Sequence, residues 1–222
     1  MTRSSALLLL DLDGVCALEK ASPGGDTLEL FKLHEDLGAG IAALGCPVAV
    51  ITHRSRKEAL RILSAIGVGR GDMKGVFTAE DFLFASLGKP LDLFRRGLLK
   101  SAALPAIERK FQVGRENMAV IDDRDDVLHD LKTNGVGLCM KAPGQSDPDG
   151  IMSFKFAEAA QVFAEWRAHG DAQAEIQPLT PYRIEITPDW RTGKNTRLSQ
   201  FTVFNAVRVV ARYARGMRRA VG

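Results

Sequence analysis

Cysteine is scarce: Cys16, Cys46 and Cys139 are the three in 222 residues, far apart and odd in number. That count excludes a disulfide framework and fits a reducing compartment, so a cytoplasmic location is expected. No CxxC pair or Cys/His cluster is present, which excludes the common structural zinc sites. No stretch approaches the ~20 consecutive apolar residues of a spanning helix, so no transmembrane segment is expected. The apolar run near the N-terminus is too short for a signal-peptide core, and Asp11 interrupts it. The phosphate-loop pattern GxxxxGK(S/T) is absent, and "GGDTLEL" is no match to it, so no kinase activity is expected. There is no internal repeat and no low-complexity tract.

Charge of both signs is plentiful but unevenly placed. The net charge is +3, yet residues 180–222 hold nine Lys/Arg against two Asp/Glu, a local +7. Residues 1–179 therefore carry −4. A basic tail on a mildly acidic body fits an anionic partner, and equally a solvated helix face.

Short apolar runs alternate with helical patterns. "ALLLLD", "PVAVIT", "NMAVIDD" and "VGLCM" read as strands, and "GVF" as a shorter one. "TLELFKLHEDLGAGIAALG" reads as a helix ending in Gly45. "SRKEALRILSAIG" reads as a helix with Ser55 and Glu58 at capping-box spacing and Gly67 at its end. Further helices are expected from Thr78, over "PLDLFRRGLLKSAAL" with Pro90 in the first turn, over "RDDVLHDLKTNG", and over "FKFAEAAQVFAEWRAHG". This alternation implies an α/β fold, a doubly wound, Rossmann-like parallel sheet with helices on both faces. Residues 1–170 are expected to form the core, 171–181 a linker and 182–222 a basic C-terminal extension. In that extension "PYRIEITPDW" reads as extended. Val203, Val207, Val210, Ala214, Met217 and Val221 form an apolar helical stripe beside Arg208, Arg212, Arg215 and Arg219.

Ligands of open parallel sheets bind beyond the carboxyl ends of the strands. Asp11, Thr52 and the pair Asp122–Asp123 each end an apolar strand. In "LLLLDLDG", Asp11 and Asp13 would point the same way, about 6.6 Å apart along the chain. Two such carboxylates repel. A hard cation offsets that repulsion, and Mg²⁺ favours one or two carboxylates together with substrate phosphate oxygens. Gly14 lets the backbone turn sharply beside the ligand.

Four segments together resemble the motifs of the haloacid dehalogenase-like phosphohydrolase superfamily. "LLLLDLDG" is similar to its first, Thr52 in "VAVIT" to its second, Lys89 in "GKPLDLF" to its third and "AVIDD" to its fourth. The resemblance covers about residues 6–142. It implies a phosphatase in which Asp11 is the nucleophile, forming an aspartyl-phosphate, and Asp13 the acid and base. Thr52 and Lys89 would hold the phosphoryl oxygens. Mg²⁺ would lie on the Asp11 carboxylate, the Asp13 backbone carbonyl and Asp123, with Asp122 as a supporting acid. The second Asp favours phosphate chemistry over dehalogenation. Val127 stands where many members carry a further acid, and adjacent Asp126 is the alternative. Lys100 competes with Lys89, but its expected setting is a solvated helix face.

Forty residues lie between Asp11 and Thr52, and thirty-six between Thr52 and Lys89. The helices read above consume most of both stretches, so no cap insertion is expected. An open site suits macromolecular phosphate ends, or small substrates where the tail or a second copy of the chain covers the cleft. "ITHR" and "IDDR" are similar to the 3′-phosphatase domain of phage-type polynucleotide kinases, which implies a polynucleotide 3′-phosphate substrate. Arg54 is then a candidate phosphate clamp, and Arg124 a partner of neighbouring acids. The basic tail is compatible with nucleic-acid backbone or an anionic membrane surface. A sugar-phosphate or other metabolite phosphatase, and a non-catalytic phosphate- or nucleic-acid-binding module, remain the alternatives. His34 and His129 are expected in helices and exposed. His53 lies beside Thr52, within reach of a substrate, and Cys16 has no basic partner to activate it.

Overall fold

The computed structural model describes residues 6–21, 28–35, 37–69, 71–88, 93, 96–143, 154–170 and 185–187. Its centre is a five-stranded parallel sheet. The strands are β1 (Leu7–Leu10), β4 (Val48–Ile51), β5 (Gly75–Phe77), β6 (Met118–Asp122) and β7 (Leu138–Lys141), in the order β5-β4-β1-β6-β7. Every residue of β1, β4 and β6 is buried, as continuous apolar runs require when helices cover both faces. Burying each leucine of β1 stabilises the fold by roughly 1.5–3 kcal/mol relative to exposure.

The pleat sends alternate residues to opposite layers. Leu8 and Leu10 join one cluster with Ile41, Ile62, Leu63, Phe163 and Trp166. These come from α1 (Leu37–Ala43), α2 (Arg56–Ala65) and a C-terminal helix, Phe156–His169. Leu7 and Leu9 join the other, with Phe82, Leu104, Ile107, Leu128 and Leu131. These come from α3 (Ala79–Ser86), α4 (Leu104–Phe111) and α5 (Asp125–Thr133); the C-terminal helix is α6. The doubly wound expectation holds. The order reverses about β1, so the crevice at a topological switch point opens beyond Leu10, where Asp11 begins.

Caps appear where the chain signals them. Ser55 caps α2 by accepting from the Glu58 amide, and Thr78 and Asp81 form a reciprocal capping box at α3. Gly170 ends α6 in the left-handed conformation.

Three expectations are corrected. Residues 28–43 are not one helix: Leu28–Lys32 is strand β3, paired antiparallel with β2 (Ala17–Ala21), and α1 starts only at Leu37. "LELFK" is too short to favour a period by itself, and the hairpin with "ALEKA" supplies the backbone partners that decide it. Leu98 and Leu99 interrupt the helix expected to run through Lys100, which opens a 3₁₀ turn (Lys100–Ala103) leading into α4. His34 is buried and outside any helix, whereas His129 is exposed on α5 as expected.

A short strand, β8 (Glu185–Thr187), adds to β3, so part of the extended reading of the tail segment is realised as the third strand of the hairpin sheet. The linker 171–181, the stripes at 203–221 and Lys89 lie outside the described residues. Among the described residues no helix is long and apolar enough to cross a membrane.

His34 makes an acid-sensitive joint. Its Nε2 lies 2.7 Å from the Val15 carbonyl, and its ring meets Phe154 and Phe156 edge-on. Burial pulls its pKa down to about 4, although its bonds to the Val15 and Phe154 backbone oppose this. The unfolded ring protonates near pH ~6.5, so between there and about 4 the unfolded state binds the extra proton. Stability falls as pH falls through that window, by roughly 3 kcal/mol in full. Urea unfolding at pH 7.5 and 4.5 should show a shallower pH dependence in His34→Gln than in the wild type.

Candidate active site

The switch point gathers acids from two adjacent strands. Asp11 continues β1, its N–H donating to the Ile121 carbonyl of β6 at 2.9 Å. Asp122 ends β6 and Asp123 follows it. Asp11 is 5% exposed and Asp122 fully buried, so neither carboxylate is solvated. One ligand oxygen from each of Asp11, Asp122 and Asp123 lies within 4.8 Å of the others.

Lys100 enters this cluster from the turn before α4. Its Nζ lies 2.8 Å from Asp11 Oδ1 and 2.7 Å from Asp122 Oδ2. It is 2% exposed, so the solvated reading of this lysine is wrong. Burial works against its charge, but Asp11 and then Asp122 outweigh that, and its pKa is raised. Burial pushes the Asp11 carboxyl up, Lys100 pulls it back, and Asp122 and then Asp13 raise it again, to about 7. The Asp123 carboxyl is likewise raised, by burial and then by Asp122, with Lys100 opposing. A signal for Lys100 stood in the sequence: it is a lone charge inside "GLLKSAALPAI", an otherwise apolar run.

After Asp11 the chain makes a single tight turn. Cys16 and Ala17 amides both donate to the Leu12 carbonyl, and the Gly14 amide donates to Ala17. Cys16 Sγ donates to the Asp11 carbonyl at 3.1 Å, and burial, then Asp11, raise its pKa, so this thiol is not an activated nucleophile. Gly14 has φ +75°, and a Cβ there would lie 2.4 Å from Asp123 Oδ2. A side chain would force Asp123 out of the cluster. Gly14→Ala should therefore weaken Mg²⁺ binding by at least about tenfold, on the scale of disturbed ligand positioning. Calorimetric titration of wild type and variant reads this, and equal affinities would contradict the packing described.

Thr52 follows β4, the neighbour of β1 on the other side, and is fully buried. Its N–H donates to the Phe77 carbonyl, and its Oγ1 accepts from the Arg54 N–H at 3.2 Å. Its hydroxyl proton stays available to donate. His53 lies 2.9 Å through Nε2 from the Leu98 carbonyl, two residues before Lys100, so the loop after β4 meets the lysine's loop.

Asp13 is the outermost acid, its side chain 38% exposed. Arg54 grips it through Nε, at 3.1 and 2.9 Å from its two oxygens, and through Nη2 at 2.6 Å. The Arg54 Nη1 donates to Glu19 Oε2 of β2 at 2.6 Å. Burial opposes the guanidinium charge, but Asp13 and then Glu19 outweigh it and raise its pKa. Arg54 is thus committed to carboxylates here, and Glu19 is a contact that sequence reading missed. Arg124 pairs with Asp126 at the surface, as expected for an arginine flanked by acids.

An open parallel sheet with a crowded acid cluster and a buried lysine at its switch point is the class of protein defined by this geometry. No family model matches the chain, and no curated protein matches it. Several solved structures are similar to it at low identity. One is the N-terminal part of a Bacteroides fragilis protein containing a phosphatase domain, complexed with Mg. Identity is 13% and TM-score 0.42, over 61% of this chain and 35% of that one, so the chain spans well under two thirds of it. Another is 3-deoxy-D-manno-octulosonate 8-phosphate phosphatase from Moraxella catarrhalis, in complex with magnesium, phosphate and the KDO molecule, at 20% identity and TM-score 0.41 over 64% of this chain and 70% of that one. The Yersinia pestis enzyme of the same name matches at 18% identity and TM-score 0.37, over 62% and 63%.

Proposed function

We propose that this chain is a Mg²⁺-dependent phosphomonoester hydrolase of the haloacid dehalogenase-like kind. The observation that supports it most is the convergence of Asp11, Asp122 and Asp123 at the switch point, with Lys100 on Asp11 and Asp122. The donor set suits a hard cation: all-oxygen ligands, with Asp11 and Asp123 both raised partly by a neighbouring carboxylate. Asp11, Asp123 and the backbone carbonyl of Asp13 would hold Mg²⁺, with Asp122 supporting. When bound, the ion supplies positive charge to the phosphoryl oxygens.

The chain's own groups do the rest. An Asp11 oxygen attacks phosphorus, and the ester P–O bond breaks with its electron pair leaving on oxygen. Asp13 gives that oxygen its proton. Asp13 then takes a proton from water, which attacks the aspartyl-phosphate, releasing phosphate and restoring the Asp11 carboxylate. Lys100 takes the role that the sequence motif suggested for Lys89, neutralising Asp11 and meeting the phosphoryl charge, and Thr52 donates its hydroxyl.

The substrate in this reading is a nucleotide or polynucleotide 3′-phosphate end. Two features support it: the "ITHR" and "IDDR" segments, and the basic charge of residues 182–222, an extension beyond a catalytic core at 1–170 and a linker at 171–181. The test is phosphate release with Mg²⁺ from a 3′-phosphorylated oligonucleotide beside a panel of sugar phosphates. Faster turnover of the oligonucleotide, weakening as salt rises, is expected. Turnover confined to sugar phosphates would overturn the substrate and keep the chemistry.

A further inference from the structure

We propose that Glu19, on the hairpin strand β2, is a positioning residue that holds Arg54 and through it aims Asp13. This rests on the phosphatase reading above, in which Asp13 delivers the proton. The Asp13 side chain is 38% exposed, and the residue sits at an isolated bridge to Ala17 that opens the turn, outside the named strands. Nothing in that turn fixes its carboxylate; Arg54 does, with its Nε and Nη2 on both oxygens. A bidentate grip sets orientation as well as distance.

Arg54 in turn has a long side chain whose direction must be set. Its Nη1 is held at 2.6 Å by Glu19, whose side chain is 8% exposed. A carboxylate this buried needs its charge matched, and Arg54 matches it. Glu19 pairs in register with Leu30 of β3, whose neighbours Phe31 and Lys32 pair with β8. The three-stranded sheet therefore places a carboxylate on Arg54, the residue that grips the acid–base group. The relay also leaves two N–H groups of Arg54 without a carboxylate, facing no partner among the described residues.

The inference separates from a merely structural role by its dependence on the leaving group. An alkyl phosphate needs its departing oxygen protonated, whereas p-nitrophenyl phosphate, with a stable phenolate, does not. Glu19→Gln keeps size and a hydrogen-bond acceptor but removes the charge. Its kcat/KM on an alkyl phosphate, which reports formation of the aspartyl-phosphate and not its hydrolysis, should fall about 10–100-fold, a sizeable part of a general-acid contribution. On p-nitrophenyl phosphate the fall in kcat/KM should stay under about threefold, while kcat, which includes the hydrolysis step that Asp13 serves as base, falls on both esters. In an Arg54→Met background the Glu19 substitution should do nothing further. Equal losses of kcat/KM on both esters, or additive losses in the double variant, would overturn the proposal. A second readout needs no turnover: in the full chain, the ¹⁵N-edited NMR signal of Arg54 Nε–H should be protected from exchange and lose that protection in Glu19→Gln. Unchanged protection overturns the positioning role. Protection in the wild type that is lost in Glu19→Gln, in a protein that hydrolyses neither ester, leaves the relay standing and sinks the phosphatase reading instead.

Discussion

Lys100→Met is expected to cut turnover by about 10²–10³ and to weaken the fold at once. The lysine is the counter-ion of two buried carboxylates, Asp11 and Asp122. Methionine fills a similar volume, so packing is kept and the charge alone is lost. Breaking a buried pair while leaving its partners costs about 3–5 kcal/mol, unless the orphaned acids take up protons. In the proposed mechanism the phosphoryl oxygens also lose a preorganised cation, a loss of about 10²–10³ in kcat for one such donor. Urea unfolding and phosphate release on the same preparation read both effects. Lys89→Met is the paired control, and its activity loss should be at least about 100-fold smaller. A larger loss at Lys89 would return the phosphate-binding role to that residue.

Asp11→Asn should eliminate phosphate release, by at least about 10³-fold, because the amide cannot form the aspartyl-phosphate. The same change should remove the response to metal. In wild type, Mg²⁺ at a hundred times its Kd should stabilise the fold by about 2.7 kcal/mol. For a chain of this length that raises Tm by roughly 5–10 °C. Asp11→Asn should lose most of that rise, and Asp123→Asn likewise. Asp126→Asn, at an exposed surface pair, should keep it. A full metal response in Asp123→Asn would move the ligand to Asp122.

The parts of this architecture that were legible in the sequence share one property: a continuous apolar run ending in a polar group. "LLLLD", "VAVIT" and "AVIDD" announce buried strands and deliver Asp11, Thr52 and Asp122–Asp123 to one edge whatever the rest of the chain does. Helices with caps, as at Ser55 and Thr78, were readable for the same local reason. What was not legible depends on partners distant in sequence. "LELFK" becomes a strand because "ALEKA" lies beside it. His34 is buried because Phe154 and Phe156, far along the chain, close over it. Lys89 sits in the better local match, but Lys100 reaches the carboxylates, because the turn before α4 points it at the ends of β1 and β6. Nothing local in the sequence ties Arg54, the candidate phosphate clamp, to Glu19; the hairpin brings that acid onto the guanidinium.

The most direct measurement of the central claim is phosphate release from p-nitrophenyl phosphate and a 3′-phosphorylated oligonucleotide, with Mg²⁺ and with EDTA, by wild type and Asp11→Asn. The account predicts release with Mg²⁺ that disappears with EDTA and is absent in the variant. Release that survives in Asp11→Asn, or proceeds equally in EDTA, would contradict it.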